Sequence, residues 1–311
     1  MNKWWLYQKE RFPIFQYIPM VMAFAFSGLS YARRVGDMAF DNWICPEYAI
    51  CVDLREPLQF FHYLVAMITT LIWFMLLRII DEHKDYEEDK KYRPYRAVSR
   101  GLVTLKELRY LAILLVVIQI GLTLWVNTAL AFTLVIAYAW FFLMSFEFGV
   151  GKWLKKQHAL YLLSHMIMIV LINFYLTSFE WASYSFSSRL IPYLLVGYVA
   201  GLVFEVGRKI RSKEEEEEGV NTYSAVWGIK KSVIIWLSCV AASLITVFIS
   251  AYVIEMGGII IAIFAPLYLI ALYFSTKFMK LPTKSNAKFF KVFPAIWLLL
   301  IYFVLGIVSW L

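Results

Sequence analysis

Residues 57–79 read PLQFFHYLVAMITTLIWFMLLRI, a run in which Arg78 is the one Lys, Arg, Asp or Glu. A helix needs roughly 20 mostly apolar residues to cross the hydrocarbon core of a bilayer. This run is therefore long enough and apolar enough to predict a membrane-spanning helix. Eight other runs share these properties. The nine predicted spans are residues 13–32, 57–79, 108–126, 128–147, 159–178, 190–207, 232–253, 258–276 and 291–310.

The composition supports the same fold class. The chain has 311 residues, of which 61% are hydrophobic and 17% are charged. A soluble protein has about 25% charged and about 45–50% apolar residues. The composition excludes disordered, collagen-like, coiled-coil and disulfide-stapled small proteins, and the long apolar runs exclude an ordinary soluble enzyme. We therefore expect an all-α polytopic membrane protein, with residues 1–311 forming a single domain.

The positive charges predict the orientation of the chain. The formal net charge is +8, and the cations lie between the apolar runs, which is typical of cytoplasmic loops rather than of nucleic-acid binding. With the N-terminus in the cytoplasm, 26 of the 30 Lys and Arg residues lie on the inner side. The four outer cations are Arg33, Arg34, Arg55 and Arg189. An odd number of spans then places the C-terminus outside.

Three cysteines occur, Cys45, Cys51 and Cys239, and none forms a CxxC motif. The sequence therefore gives no support for a zinc or iron–sulfur site. Cys45 and Cys51 could form a disulfide if their loop faces an oxidising compartment, or they could be two free thiols.

The second predicted span is followed by an acidic segment. Asp81, Asp85 and Asp89 recur every four residues, so a helix that continues the span carries them on one stripe. Carboxylates of this kind can hold Mg²⁺ together with substrate phosphate oxygens. Arg93, Arg96 and Arg100 follow and could bind phosphate oxygens. The alternative is a solvated charged loop.

The sixth predicted span ends in a second charged segment. Glu205 closes an otherwise apolar run, and a carboxylate there usually has a partner or a metal. The cations Arg208, Lys209 and Arg211 follow, and we expect the Glu214–Glu218 run to form a solvated loop. This mixture could complete a diphosphate site, or it could be a helix end whose cations reach the interface.

These two segments resemble the motifs of the UbiA superfamily of intramembrane prenyltransferases. The first family motif reads NDxxDxxxD and is followed by an Arg-Pro dipeptide and a glycine. Here residues 81–89 read DEHKDYEED and precede Arg93, Pro94 and Gly101. The second family motif is an acidic stretch that leads to G-[IV]-x-T and a later glycine. Here residues 219–222 read GVNT and precede Gly228, and ERFPIFQYIP at 10–19 is similar to the family's first helix entry.

The resemblance implies nine helices around a central cavity with cytoplasmic cap loops, and Mg²⁺ as the cofactor. It implies transfer of a prenyl group from a prenyl diphosphate to a hydrophobic acceptor within the bilayer, an aromatic ring being one candidate. The expected metal ligands and catalytic carboxylates are Asp81, Asp85, Asp89 and Glu205, with Glu82 as a further metal ligand. The expected diphosphate-binding cations are Arg93, Arg96, Arg208, Lys209, Arg211 and Lys152.

Two other functions stay open at this point. A terpene cyclase of the same superfamily would ionise the prenyl diphosphate without an acceptor. A transporter or a non-catalytic membrane component is the third hypothesis, although the chain shows neither the internal repeats nor the mid-bilayer charges typical of transporters.

Three polar residues outside the motifs also lead to predictions. Glu147 is expected to pair with Lys152 or Arg78, and a role in the substrate pocket is the alternative. His165 and Asn173, eight residues apart in the fifth span, are expected to form interhelical hydrogen bonds, and contact with an acceptor is the alternative.

Overall fold

The computed structural model of the protein describes residues 2–41 and 58–311, and this part of the chain contains helices and no strand. Its thirteen α-helices are α1 Lys3–Arg11, α2 Ile14–Asp41, α3 Phe60–Lys84, α4 Tyr86–Tyr92, α5 Leu105–Val126, α6 Ala131–Ser145, α7 Gly151–Leu154, α8 His158–Trp181, α9 Ile191–Arg208, α10 Tyr223–Trp227, α11 Ile229–Val253, α12 Gly257–Lys280 and α13 Lys284–Val308.

Nine of the helices in these two ranges are long and apolar enough to cross a membrane. They are α2, α3, α5, α6, α8, α9, α11, α12 and α13, in the order that the sequence predicts. The prediction of an all-helical polytopic membrane protein is therefore confirmed. Several helices are longer than their apolar runs. In particular, α3 continues to Lys84, so that Asp81 and Glu82 lie in its last turns.

The nine long helices follow one another around the bundle. Each packs against the next one in the chain, and α13 packs against α2. Large side chains such as Trp73, Trp236 and Trp297 fill the interior. The outward faces carry exposed apolar side chains. Helix α5 is the least buried of the nine long helices, because only 11% of its most apolar 18-residue stretch is buried in the protein. Outer faces of this kind are suited to contact with lipid.

Close helix packing positions the end of α9. A Cβ added at Gly207 would lie 2.4 Å from Cγ of Pro294 and 2.8 Å from Nε1 of Trp236. The same indole nitrogen donates to the carbonyl of Val203 at 3.0 Å. Only a glycine permits this approach of α9 to α11 and α13, and it holds the neighbouring residues Glu205 and Arg208 in place.

The two polar segments pack against each other at one end of the bundle. Gly219 has φ +72°, and a Cβ there would lie 2.4 Å from the ring of Tyr92 in α4. Glycine is favoured at such a position because it adopts positive φ without steric cost. Tyr95 also donates to Glu217 at 3.5 Å. The segment after α3 and the segment after α9 therefore form one polar cap.

Two sequence predictions fall outside the described residues. These are the alternatives for Cys45 and Cys51, and the placement of Arg55. The third cysteine, Cys239, lies in α11 as a free, half-buried thiol.

Candidate active site

Asp81 and Asp85 form a pair of carboxylates at the end of α3. They are four residues apart, and the backbone N–H of Asp85 donates to the carbonyl of Asp81 at 3.0 Å. In the described part of the chain, neither carboxylate takes part in a hydrogen bond or an ion pair, although burial and the charge of Asp89 raise the pKa of Asp85. Two like charges held together without a partner make a site that is suited to a cation.

The charged end of α9 lies near Asp81. Glu205 accepts from Nε of Arg208 at 2.5 Å and from Nζ of Lys209 at 2.9 Å. The charge of Asp81 interacts with both Arg208 and Glu205. The acidic ends of the second and sixth spans are therefore electrostatic neighbours.

Glu82 lies apart from Asp81 and Asp85. Its side chain is 2% exposed, and its Oε1 accepts from Nε of Arg11 at 2.6 Å and from Nη2 of Arg78 at 2.8 Å. The N-terminal helix α1, which ends at Arg11, is thereby anchored to α3. A carboxylate that already has two arginine partners is less available to a metal ion than an unpaired one.

Asp89 is paired in the same way. Its Oδ1 lies 2.6 Å from Nη2 of Arg93, and its Oδ2 lies 2.6 Å from Nη1 of Arg96 and 3.8 Å from Nη2 of Arg11. The helix is interrupted at Asp85, between the end of α3 at Lys84 and the start of α4 at Tyr86. The N–H of Asp85 still donates to the carbonyl of Asp81 and the N–H of Asp89 to that of Asp85, so the three aspartates stay one turn apart. Unlike the other two, Asp89 balances the charges of these arginines.

The remaining predicted cations are spread around the cap. Arg211 donates to the carbonyl of Glu215 at 3.2 Å and lies 3.4 Å from Glu217. Lys152 is exposed on the short helix α7. Lys155 directly follows this helix and interacts with the charge of Asp85, and the sequence did not predict this interaction.

The Glu214–Glu218 run is more structured than the predicted solvated loop. Glu216 accepts hydrogen bonds from the hydroxyl of Thr222 at 2.6 Å and from that of Ser224 at 2.8 Å. Glu215 binds Lys291 at 2.7 Å. The threonine of the GVNT motif therefore closes the loop onto its own acidic run.

A second cluster of polar residues borders the Asp81–Asp85 pair. Glu147, which follows α6, lies 2.9 Å from Nζ of Lys84 and 3.4 Å from Nε2 of His165, and it accepts from the hydroxyl of Tyr161 at 3.1 Å. The prediction that Glu147 pairs with Lys152 or Arg78 is wrong, because the extension of α3 brings Lys84 to it. The ring of Tyr161 stacks on His165 at 3.9 Å between centroids.

The fifth span confirms the predicted interhelical hydrogen bonds. His165 contacts Lys84 of α3 at 3.2 Å. Asn173 donates to the hydroxyl of Tyr302 in α13 at 2.7 Å. Both polar side chains therefore connect α8 to other helices of the bundle.

The turn that presents Glu147 is strained. Glu147 has φ +51° and Phe148 has φ +54°. Two successive residues with a side chain rarely adopt this region, and each costs about 1–3 kcal/mol unless its surroundings hold it. The ion pair with Lys84 and the contact with His165 supply that restraint at the border of the site.

We expect Glu147→Gln to destabilise the fold by on the order of 3 kcal/mol near neutral pH. Burial alone would raise the pKa of Glu147, but hydrogen bonds from His165 and Lys84 lower this pKa from 4.5 to about 2. The ionised form thus stabilises the folded state above about pH 4.5, and this stabilisation is lost as the pH falls towards 2. Thermal unfolding across this range measures the effect.

Glu214→Gln is the matched control for this prediction, because Glu214 is exposed and has no partner in the described structure. The wild type and the control should lose stability in acid, whereas the Glu147→Gln variant should lose less. Equal acid sensitivity of all three proteins would contradict a stabilising role for the Glu147 cluster.

Protein side chains alone do not form a metal cage in the described ranges. No group of three or more His, Cys, Asp or Glu residues there is close enough to hold a metal ion. Any ion at Asp81 and Asp85 needs further oxygen ligands, from water or from a bound substrate.

Comparison with known proteins identifies a family that matches this chain. The family model of the UbiA prenyltransferase family matches residues 48–308. A UbiA homologue from Aeropyrum pernix K1, in its apo form, superposes with a TM-score of 0.65 at 14% identity, over 95% of this chain and 98% of that one. The structure of a digeranylgeranylglyceryl phosphate synthase gives a TM-score of 0.59 at 18% identity over 99% of both chains. No curated protein matches the sequence significantly.

Proposed function

Because the chain belongs to the UbiA prenyltransferase family and is an integral membrane protein, we propose that it transfers a prenyl group from a prenyl diphosphate to a hydrophobic acceptor within the bilayer. The unpaired carboxylates of Asp81 and Asp85, the first of which interacts with the charges of Glu205 and Arg208, are the observation that carries this proposal. An aromatic ring is one candidate for the acceptor.

The donor set at this position suits Mg²⁺. Mg²⁺ is usually bound by one or two protein carboxylates, with water and substrate phosphates as the other ligands. Asp81 and Asp85 supply two such carboxylates. Glu205 is already paired with Arg208 and Lys209, and it becomes available as a further ligand only when these cations move to the diphosphate. Glu82 and Asp89 are assigned a supporting role, since arginines already pair with them. When bound, Mg²⁺ would neutralise the charge that develops on the diphosphate.

The cations of the chain act on the same leaving group. Arg208 and Lys209 exchange part of their contact with Glu205 for oxygens of the diphosphate, and Lys155 approaches from the side of Asp85. The bond between C1 of the prenyl chain and oxygen breaks, and its electron pair leaves with the diphosphate. An acceptor carbon gives the electron pair of the new bond to C1 and then loses its proton to water.

The charge distribution supports a cytoplasmic orientation of the site. We place the N-terminus, the acidic segments and the cap in the cytoplasm, where the excess of Lys and Arg belongs. The C-terminus then lies outside, and residues 1–311 act as one domain. In this orientation a prenyl diphosphate reaches Asp81 and Asp85 with its head at the inner interface and its tail among the helices.

The test is incubation of the purified protein with C10, C15 and C20 prenyl diphosphates and Mg²⁺, with and without candidate acceptors. Mass spectrometry of the products separates the alternatives. A prenylated acceptor that forms only with Mg²⁺ supports the proposal, whereas a cyclic hydrocarbon or alcohol without any acceptor identifies a terpene cyclase. Intact donor under all conditions would contradict both enzymatic functions.

Lys209→Asp is expected to weaken the binding of the prenyl diphosphate, raising KM at least about tenfold. The change removes a cation beside Glu205 and adds a third carboxylate near Asp81, which repels the diphosphate. The control is Lys213→Asp, the same charge reversal at an exposed lysine that has no partner in the described structure. An unchanged KM in the Lys209 variant would remove this residue from the site.

A further inference from the structure

An apolar groove lies between three helices of the bundle, and none of the proposed active-site residues lines it. It has a volume of about 350 Å³ and is formed by α3, α5 and α6. The lining residues are Leu76, Ile79, Ile80, His83, Arg109, Ala112, Ile113, Val116, Val117 and Phe141. All of them are apolar except His83 and Arg109, and the volume lies within the range of small-molecule sites.

The polar residues lie at one end of the groove. On α5 the lining starts at Arg109, four residues into the helix, and continues for about two turns to Val117. On α3 it runs in the opposite direction along the chain, so that His83, near the polar cap, lies at the same end. The groove therefore runs from a polar mouth near the cap towards the middle of the helices.

The cation at this mouth has no partner in the protein. Arg109 is exposed and takes part in no ion pair or hydrogen bond within the described ranges, and the same holds for Lys106 one turn earlier. The nearby carboxylate of Glu107 is already bound to Lys3. His83 directs Nδ1 to the carbonyl of Ile79 at 2.8 Å, which leaves its Nε2 without a protein partner.

We propose that this groove binds one anionic phospholipid of the surrounding leaflet. The phosphate of the lipid contacts Arg109, and one acyl chain lies along Ile113, Val116 and Val117. The guanidinium donates in a planar fork that matches phosphate oxygens. No carboxylate lines the groove, so a net negative headgroup is favoured over a zwitterionic one. A headgroup at the interface and a tail towards the bilayer centre are also the directions in which a lipid is already oriented.

Native mass spectrometry of the detergent-purified protein with phosphatidylglycerol tests this site. We expect one retained phosphatidylglycerol, and an affinity about tenfold lower in Arg109→Ala, since a charge-assisted contact is lost. The control is Arg189→Ala, an exposed arginine at the other end of the bundle, which should bind as the wild type does. Equal binding by the two variants would overturn the proposal.

A second pair of variants tests the tail. Ile113→Trp fills the groove, whereas Leu114→Trp puts the same ring on another face of α5; the two native side chains are 56% and 55% exposed. Only Ile113→Trp should remove the bound phosphatidylglycerol. Equal retention of phosphatidylcholine, binding of inorganic phosphate alone, displacement by geranyl diphosphate, or a second copy of the chain in place of lipid would each overturn the assignment.

The lipid site and the proposed catalytic site are separable. Asp85→Asn should retain the phosphatidylglycerol adduct, because Asp85 does not line the groove. Loss of the adduct in this variant would overturn the independence of the two sites.

Discussion

Asp85→Asn is expected to reduce prenyl transfer by on the order of a hundredfold or more. The amide has nearly the shape of the carboxylate but no charge, so the pair with Asp81 loses half of its attraction for a divalent ion. Turnover of a radiolabelled prenyl diphosphate measures the loss. The matched control is Glu87→Gln, which removes one charge from an exposed carboxylate two residues away. Wild-type turnover by the Asp85 variant would exclude its role in metal binding.

The same substitution should not harm the fold. Asp81 and Asp85 are like charges one helical turn apart, and such a pair destabilises a helix by about 0.2–0.5 kcal/mol. Burial and the charge of Asp89 also raise the pKa of Asp85, which means that its ionised form is less favourable in the folded state than in the unfolded state. The unfolding temperature of Asp85→Asn should therefore equal or exceed that of the wild type. A clear decrease would indicate a structural role for Asp85.

In contrast to Asp85→Asn, the substitution Asp89→Asn is expected to destabilise the fold, by about 3–5 kcal/mol. The carboxylate of Asp89 is 3% exposed and balances Arg93, Arg96 and the more distant Arg11. Its loss leaves the buried Arg93 and the half-buried Arg96 without their anion, whereas Arg11 keeps Glu82. Denaturant unfolding in detergent measures the change, and Glu87→Gln again serves as the control. Stability equal to that of the control would contradict the assignment of Asp89 to the arginine cluster.

The helices could be predicted from sequence because the hydrophobic requirement of a span is local. Residues 57–79 contain enough apolar side chains to identify α3 without any partner. The pairing of Asp81 with Asp85 was also predictable, since it depends only on helical periodicity. The sequence spacing does not show that the charged end of α9 lies near these aspartates. Only the family resemblance predicted it.

The roles of the other carboxylates depend on contacts that local patterns do not contain. Glu82 is bound by Arg11, which lies 71 residues earlier in the chain. Asp89 follows an interruption of the helix at Asp85, where no glycine or proline predicts a break, and it pairs with arginines. Glu147 meets Lys84 through a turn in which two residues other than glycine adopt positive φ. Tertiary pairing decided the outcomes for Glu82 and Glu147, whereas Asp89 pairs mainly with Arg93 and Arg96 of its own segment.

The binding of a non-reactive prenyl thiodiphosphate, titrated with and without Mg²⁺, tests the central claim most directly. We predict that Mg²⁺ strengthens binding to the wild type at least about tenfold. The double variant Asp81→Asn, Asp85→Asn should bind weakly and without response to Mg²⁺, while Glu87→Gln should respond as the wild type does. Binding by the wild type that is independent of Mg²⁺, or a full Mg²⁺ response in the double variant, would contradict the claim that these two carboxylates hold the metal and its diphosphate.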